Sequence, residues 1–132
     1  MRELTDHKVN PANDVLAVIA TDEAGDGGAS HRYVIRGYDA STNPAIRKDL
    51  HDDATGLSIL FQNGPIGEVG VNGITHEALL AILCDRMRGF QSGPFANRYN
   101  ALALTKLEEA QMWLNRRTVE RMQRGVEGTH EK

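Results

Sequence analysis

The run Thr75-His76-Glu77-Ala78-Leu79-Leu80-Ala81-Ile82-Leu83-Cys84-Asp85-Arg86-Met87-Arg88-Gly89-Phe90-Gln91-Ser92-Gly93-Pro94 decides the architecture. Thr75 is a helix-capping residue, and Glu77 sits in the first turn, where a negative charge favours the helix dipole. Leu79, Ile82, Leu83, Met87 and Phe90 then recur at intervals of three and four, which predicts a helix of about 15 residues. Gln91-Ser92-Gly93-Pro94 ends it. A second, longer helical pattern follows from about Asn97 to Gln123, with Leu104, Leu107, Gln111, Leu114 and Thr118 near heptad spacing. Two helices joined by a short Gly-Pro break are expected to pack as an antiparallel hairpin.

Outward from this run, the N-terminal half changes character. Val15 to Ala20, Tyr33 to Tyr38 and Leu57 to Gln62 are apolar, β-compatible segments, the last stopped by Asn63-Gly64-Pro65. The glycine-rich connection Asp22 to Ser30 fits a wide hairpin turn better than a phosphate cradle, because it lacks a Lys-Ser/Thr ending and carries three acidic residues. Ile66 to Gly73 alternates glycine with small or apolar residues, which suggests close backbone approach or an edge pairing. The expected fold is α+β, with a small N-terminal antiparallel β-sheet followed by a C-terminal antiparallel helical hairpin. Its organisation is an N-terminal arm over 1–14, a sheet part over 15–73, and a hairpin part with a polar tail over 74–132. Residues 15–130 are expected to form one compact domain.

The chain has 132 residues, about 40% hydrophobic, and a formal charge of −3. That length holds one modest core, and a small fold with an uncovered apolar face favours self-association. The near-neutral, slightly acidic balance argues against duplex DNA as a partner. No apolar run approaches the length of a membrane span, and the polar N-terminus does not resemble a signal peptide, so the expected location is cytosolic. Cys84, the single cysteine, lies in an apolar run and is expected to be buried rather than reactive.

Chemistry concentrates at the end of the second helix. Arg116, Arg117, Arg121 and Arg124 cluster there with Glu120. Arg117 and Arg121 share a face with Trp113, an arrangement suited to gripping phosphate oxygens beside a stacked base, although surface ion pairing accounts for many such runs. Asp49, His51, Asp52 and Asp53 lack the alternating ligand pattern of a hard-metal loop, which favours a solvated charged loop. The five histidines occur singly, and neither HExxH nor GxSxG is present. Neither a catalytic nor a metal-ligating set is expected, no cofactor is called for, and binding is favoured over turnover.

Several blocks resemble a known family: Gly27-Gly28-Ala29-Ser30-His31-Arg32-Tyr33, Phe61-Gln62-Asn63-Gly64-Pro65-Ile66, Gly70-Val71-Asn72-Gly73, Phe90-Gln91-Ser92-Gly93-Pro94-Phe95, Asn100-Ala101-Leu102 and Arg124-Gly125-Val126-Glu127-Gly128-Thr129-His130. They are similar to phage anti-Thoeris signal sponges, relatives of the anti-CBASS cyclic-oligonucleotide sponge that share its helical-hairpin domain. The resemblance implies a protein acting in the cytoplasm of an infected bacterium. It would bind and sequester glycocyclic ADP-ribose made by TIR-domain enzymes, without cleaving it. It further implies a ligand pocket between protomers of a homo-oligomer, a hexamer or a dimer, with Phe90, Asn100, Arg117 and Arg121 as ligand-binding residues. Some relatives also hold cyclic trinucleotides at separate sites. Two other classes compete: a nucleotide-signal-degrading enzyme with His76 or His31 as base, and a helical protein-interaction module using Leu104, Leu107 and Leu114.

Overall fold

The computed structural model describes residues 1–132, the side chain of residue 26 excepted. The chain falls into two compact units, Met1–Asn63 and Gly64–Lys132, so the division lies ahead of the 73/74 boundary expected from the sequence. The first unit carries a four-stranded antiparallel sheet in the order β1 (Arg2–Leu4), β2 (Ala17–Ala20), β3 (Arg32–Arg36), β4 (Gly56–Leu60). Three strands fall where apolar, β-compatible residues predict them. The first does not: Arg2–Leu4 lies within the segment expected to be an arm, and pairs Arg2 with Ala20 and Leu4 with Val18. Once β3 takes one side of β2, the other side presents unpaired backbone groups, and a polar N-terminal strand can satisfy them despite its composition. Between β1 and β2, Pro11–Asp14 forms a short helix, α1, capped by the Asn10 side chain.

β3 ends at Arg36 because Gly37 takes φ 102°, and a Cβ there would stand 1.8 Å from the Val15 carbonyl oxygen. Only glycine fits that approach. Along the sheet, Ala20 and Val34 are buried, and Tyr33 meets Phe61 edge-on at 5.7 Å.

In the second unit, Ile66–Val69 forms a single helical turn, α2; of the two readings of this glycine-rich segment, close backbone approach is met where Gly67 lies against the Gly128 backbone, and no edge pairing forms among the described residues. Pro65 sets the entry with φ −68°, and Gly70 closes it by donating its N–H to the Ile66 carbonyl at 2.9 Å. α3 (His76–Gln91) and α4 (Arg98–Gln123) make the hairpin. Thr75 Oγ1 accepts from Ala78 N–H at 3.2 Å, as its capping role predicts, and Asn97 Oδ1 accepts from Asn100 N–H at 2.8 Å to start α4. Leu104, Leu107, Gln111, Leu114 and Thr118 are half-buried on α4, with Asn100 and Arg121 nearer its two ends, matching the near-heptad spacing of the central five. On α3 the covered face runs through Leu80, Cys84 and Met87, whereas Ile82, Leu83 and Phe90 of the predicted periodic set stay 58%, 45% and 41% exposed. Arg88 bridges to Glu108 at 2.8 Å and ties the two helices together. No helix among the described residues is long and apolar enough to cross a membrane.

Candidate functional site

Phe90 sits one residue before the end of α3, where the coming turn leaves its ring partly open. With Arg86, Gly89, Gly93, Pro94 and Phe95 it lines a mainly apolar cleft of about 330 Å³. The Gly-Pro break folds Phe95 back so that its ring meets Phe90 at 6.4 Å and 73°, forming two walls of a corner. Arg86, one turn earlier on α3, places its guanidinium 5.7 Å from the Phe90 ring centroid. A flat heteroaromatic ring fits such a corner, with a cation at its side. Arg86 and Phe95 were not anticipated from the sequence. The signal available was the four-residue spacing of Arg86 and Phe90 and the turn that brings Phe95 back.

Asn100 lies in the first turn of α4, half-buried, its backbone N–H already used by the Asn97 cap. Phe90 and Asn100 therefore flank the connection between α3 and α4, at the tip of the hairpin. Arg117 and Arg121 lie toward the other end of α4. At 1.5 Å of rise per residue, Asn100 and Arg117 are about 25 Å apart along the helix. The four expected residues thus form two groups within one chain, tip and arginine end, rather than a single pocket.

The two arginines differ. Arg117 is exposed and makes no hydrogen bond or ion pair among the described residues. Arg121 is the hub of the C-terminal tail. Its Nε donates to Glu127 Oε2 at 3.0 Å, one terminal nitrogen donates to the Val126 and Thr129 carbonyls at 2.9 and 3.3 Å, and the other donates to the Glu131 carbonyl. Gly125 and Gly128, at φ 73° and 81°, turn the chain around it. Gly67 N–H donates to the Gly128 carbonyl at 3.1 Å, which clips this hook to α2. Trp113 is half-exposed, and the guanidinium over its ring is that of Arg116, at 5.9 Å, rather than of Arg117 or Arg121. Arg116 also pairs with Glu120 at 3.2 Å.

Elsewhere, polar groups are consumed locally. In the β2–β3 connection, Asp22 accepts the backbone N–H groups of His31 (2.9 Å) and Arg32 (3.0 Å), which holds its carboxyl below the ordinary carboxylate value. The loop is a hairpin closure, as its composition suggests. In the 47–53 loop, Asp49 pairs with Arg47 at 2.8 Å, Asp52 accepts the Arg47 N–H at 2.8 Å, and Asp53 accepts the Thr55 N–H at 2.9 Å. These bonds hold the loop in shape. Cys84 is buried, as its apolar surroundings predict.

Residues 53–119 match the family described as the Acb2/Tad1 hairpin domain. The chain is also 38% identical, over 146 aligned positions covering all of both chains, to a protein of Bacillus phage SBSphiJ7 named Thoeris anti-defense 1.

Proposed function

The chain belongs to the Acb2/Tad1 hairpin family, and from that premise we propose that it is a phage anti-Thoeris protein that sequesters glycocyclic ADP-ribose in the host cytoplasm. The signal is held and not cleaved, so that the effector it would activate is starved of ligand. The observation that carries this reading is the division of chemistry along α4. An aromatic corner and an amide stand at the tip, and paired guanidinium groups stand about 25 Å away. A cyclic ADP-ribose carries adenine, ribose and diphosphate in one closed ring and cannot span that gap in a single protomer. It meets both groups only where the tip of one copy lies beside the arginine end of another, which makes the binding unit an oligomer, with a hexamer as the proposed form.

In that composite pocket Phe90 stacks the adenine, Asn100 bonds a ribose or base edge, and Arg117 and Arg121 clamp the diphosphate. Arg117 brings an uncommitted fork. Arg121 arrives with its orientation held by the tail, which lowers the cost of fixing a long side chain on binding. Cyclic trinucleotides would occupy separate sites in the same assembly.

Calorimetric titration with glycocyclic ADP-ribose, followed by heat release and chromatography of the ligand, tests the proposal. Saturable binding with chemically intact ligand is expected. Replacing Arg117 and Arg121 together by alanine should weaken binding by about a hundredfold or more, since two charge-assisted phosphate contacts are lost. Ligand returned in altered form would mean an enzyme, and binding unchanged in the double variant would remove the arginines from the site.

A further inference from the structure

The strands β3 and β4 are neighbours in the sheet, and a turn of about two residues is enough to join such a pair. The chain instead places residues 37–55 between them. An ordered connection of that length is more often functional than a plain link. Its ends are clasped where the Ala40 N–H donates to the Ala54 carbonyl at 2.6 Å. Together with the adjoining ends of both strands it bounds an open cleft of about 520 Å³, within the range of about 300–1,000 Å³ typical of small-ligand sites. Every residue that lines the cleft belongs to the Met1–Asn63 unit.

Gly56 makes room for one wall. It pairs with Arg36 across the strands, and a Cβ there would stand 2.8 Å from Arg36 Nη1 and 2.9 Å from the Ile35 carbonyl oxygen. Arg36, Tyr38 and His51 all line the cleft, and none of the three makes a hydrogen bond or ion pair among the described residues. His51 stands at φ 64° and ψ 30°, the one positive φ outside glycine among those residues, and the bond from its N–H to the Lys48 carbonyl at 3.0 Å helps to hold it there. The turn brings His51, Asp52 and Asp53 in succession to the cleft. Each carboxylate keeps one oxygen uncommitted. Asp52 Oδ2 accepts the Arg47 N–H at 2.8 Å, and Asp53 Oδ1 accepts the N–H and hydroxyl of Thr55 at 2.9 and 3.0 Å, which leaves Asp52 Oδ1 and Asp53 Oδ2 free. The Thr55 N–H, then its hydroxyl, and the charge of Arg36 hold the Asp53 carboxyl below its ordinary value, so it stands ionised at neutral pH.

These groups select a ligand class. Two carboxylates against one guanidinium disfavour a phosphate, and no group of three or more His, Cys, Asp or Glu among the described residues is placed to hold a metal ion. The cleft offers acceptors in the free Asp52 and Asp53 oxygens and donors in Arg36 and the Asn43 amide nitrogen, the Asn43 Oδ1 being taken by the Ala45 N–H at 2.9 Å. It adds the half-buried ring of Tyr38, with Ile46 and Leu57 as apolar lining. A ribose cis-diol presents two adjacent hydroxyl donors, which an acidic side chain accepts. A flat base stacks on an aromatic ring, and its ring nitrogens accept from a guanidinium or an amide. We propose that this cleft is a second small-molecule site, which takes a neutral ribonucleoside by its cis-diol.

Adenosine titrated into the protein, followed by backbone amide spectra, tests the assignment. Saturable shifts centred on residues 36–58 are expected, with a Kd below about 1 mM. 2′-Deoxyadenosine, which lacks the diol, should bind about tenfold more weakly or worse, and adenosine monophosphate no more tightly than adenosine. Asp52→Asn with Asp53→Asn keeps an acceptor for the Arg47 and Thr55 amides and replaces each free oxygen by a donor. That variant should keep the amide spectrum of the sheet and lose adenosine binding by about tenfold or more. Adenosine should also stay bound when glycocyclic ADP-ribose is added in excess. No saturable shift, equal binding of the deoxynucleoside, or tighter binding of the monophosphate would overturn the proposal. So would unchanged binding in the double variant, a disrupted sheet spectrum in it, or displacement by glycocyclic ADP-ribose. Shifts centred on Phe90 and Phe95 would place the adenine in the corner of the hairpin and overturn it equally.

Discussion

Asp22 shows how one side chain can organise a loop. Its carboxylate accepts the N–H groups of His31 and Arg32 at the entrance to β3, while its own carbonyl accepts from Ser30 Oγ at 3.1 Å. The bond from the Arg32 N–H, then that from His31, favours the ionised form and lowers the pKa from its ordinary 3.8. The unfolded chain therefore binds more protons than the folded chain as the pH falls past 3.8. The stabilisation is fully present above that value and is lost as the pH drops through the lowered one. Asp22→Asn should unfold at a lower temperature than the parent at pH 7, and the two should converge under strongly acid conditions. A melting series across pH decides the matter: a constant gap down to the acid limit would mean that the ionised carboxylate is not what matters there.

At the scale of elements, the C-terminal hook is held by one guanidinium. Arg121→Lys keeps the charge, but a single ammonium cannot serve a carboxylate and three carbonyls at once. The Val126 amide, which donates to the Arg121 carbonyl at 3.0 Å, and the Thr129 amide should then exchange with solvent about tenfold faster or more, with the sheet amides unaffected. Unchanged exchange would mean that the two turning glycines hold the hook unaided. Nothing in the arginine run of the sequence signals this structural role, because the partners are mostly backbone carbonyls and carry no side-chain signature. The hairpin, by contrast, was legible: capping residues, periodicity and a Gly-Pro break are local signals that act before tertiary packing. What was not legible depended on neighbours. β1 exists because β2 has an edge to fill, and the buried face of α3 turned from Ile82 and Leu83 toward Leu80 and Cys84, since both faces of that helix are apolar. Phe90, Asn100, Arg117 and Arg121 were each visible as residue types, and the distance of Asn100 from the arginines follows from the one helix expected over Asn97 to Gln123; the corner that Phe90 makes with Phe95 depends on the turn between the helices.

At the scale of the whole molecule, the hydrophobic residues buried among those described are Ala20, Val34 and Cys84. Ile82, Leu83, Leu102, Trp113, Val119 and Met122 are each 45% or more exposed. Burial of apolar surface is the main favourable term in folding, and so thin a core in one protomer leaves little to offset the entropy of ordering 132 residues. Large apolar side chains left open in this number favour an interface over a protomer that stands alone. Folding should therefore be coupled to assembly, with the uncovered faces of both long helices completing their burial against other copies. The measurable consequence is mass action. For a folded oligomer in equilibrium with unfolded chains, diluting the protein about a hundredfold removes on the order of 2.7 kcal/mol, enough to lower the melting temperature by several degrees. A melting temperature independent of concentration would mean that the protomer is stable alone, and that its exposed helix faces serve a partner other than itself.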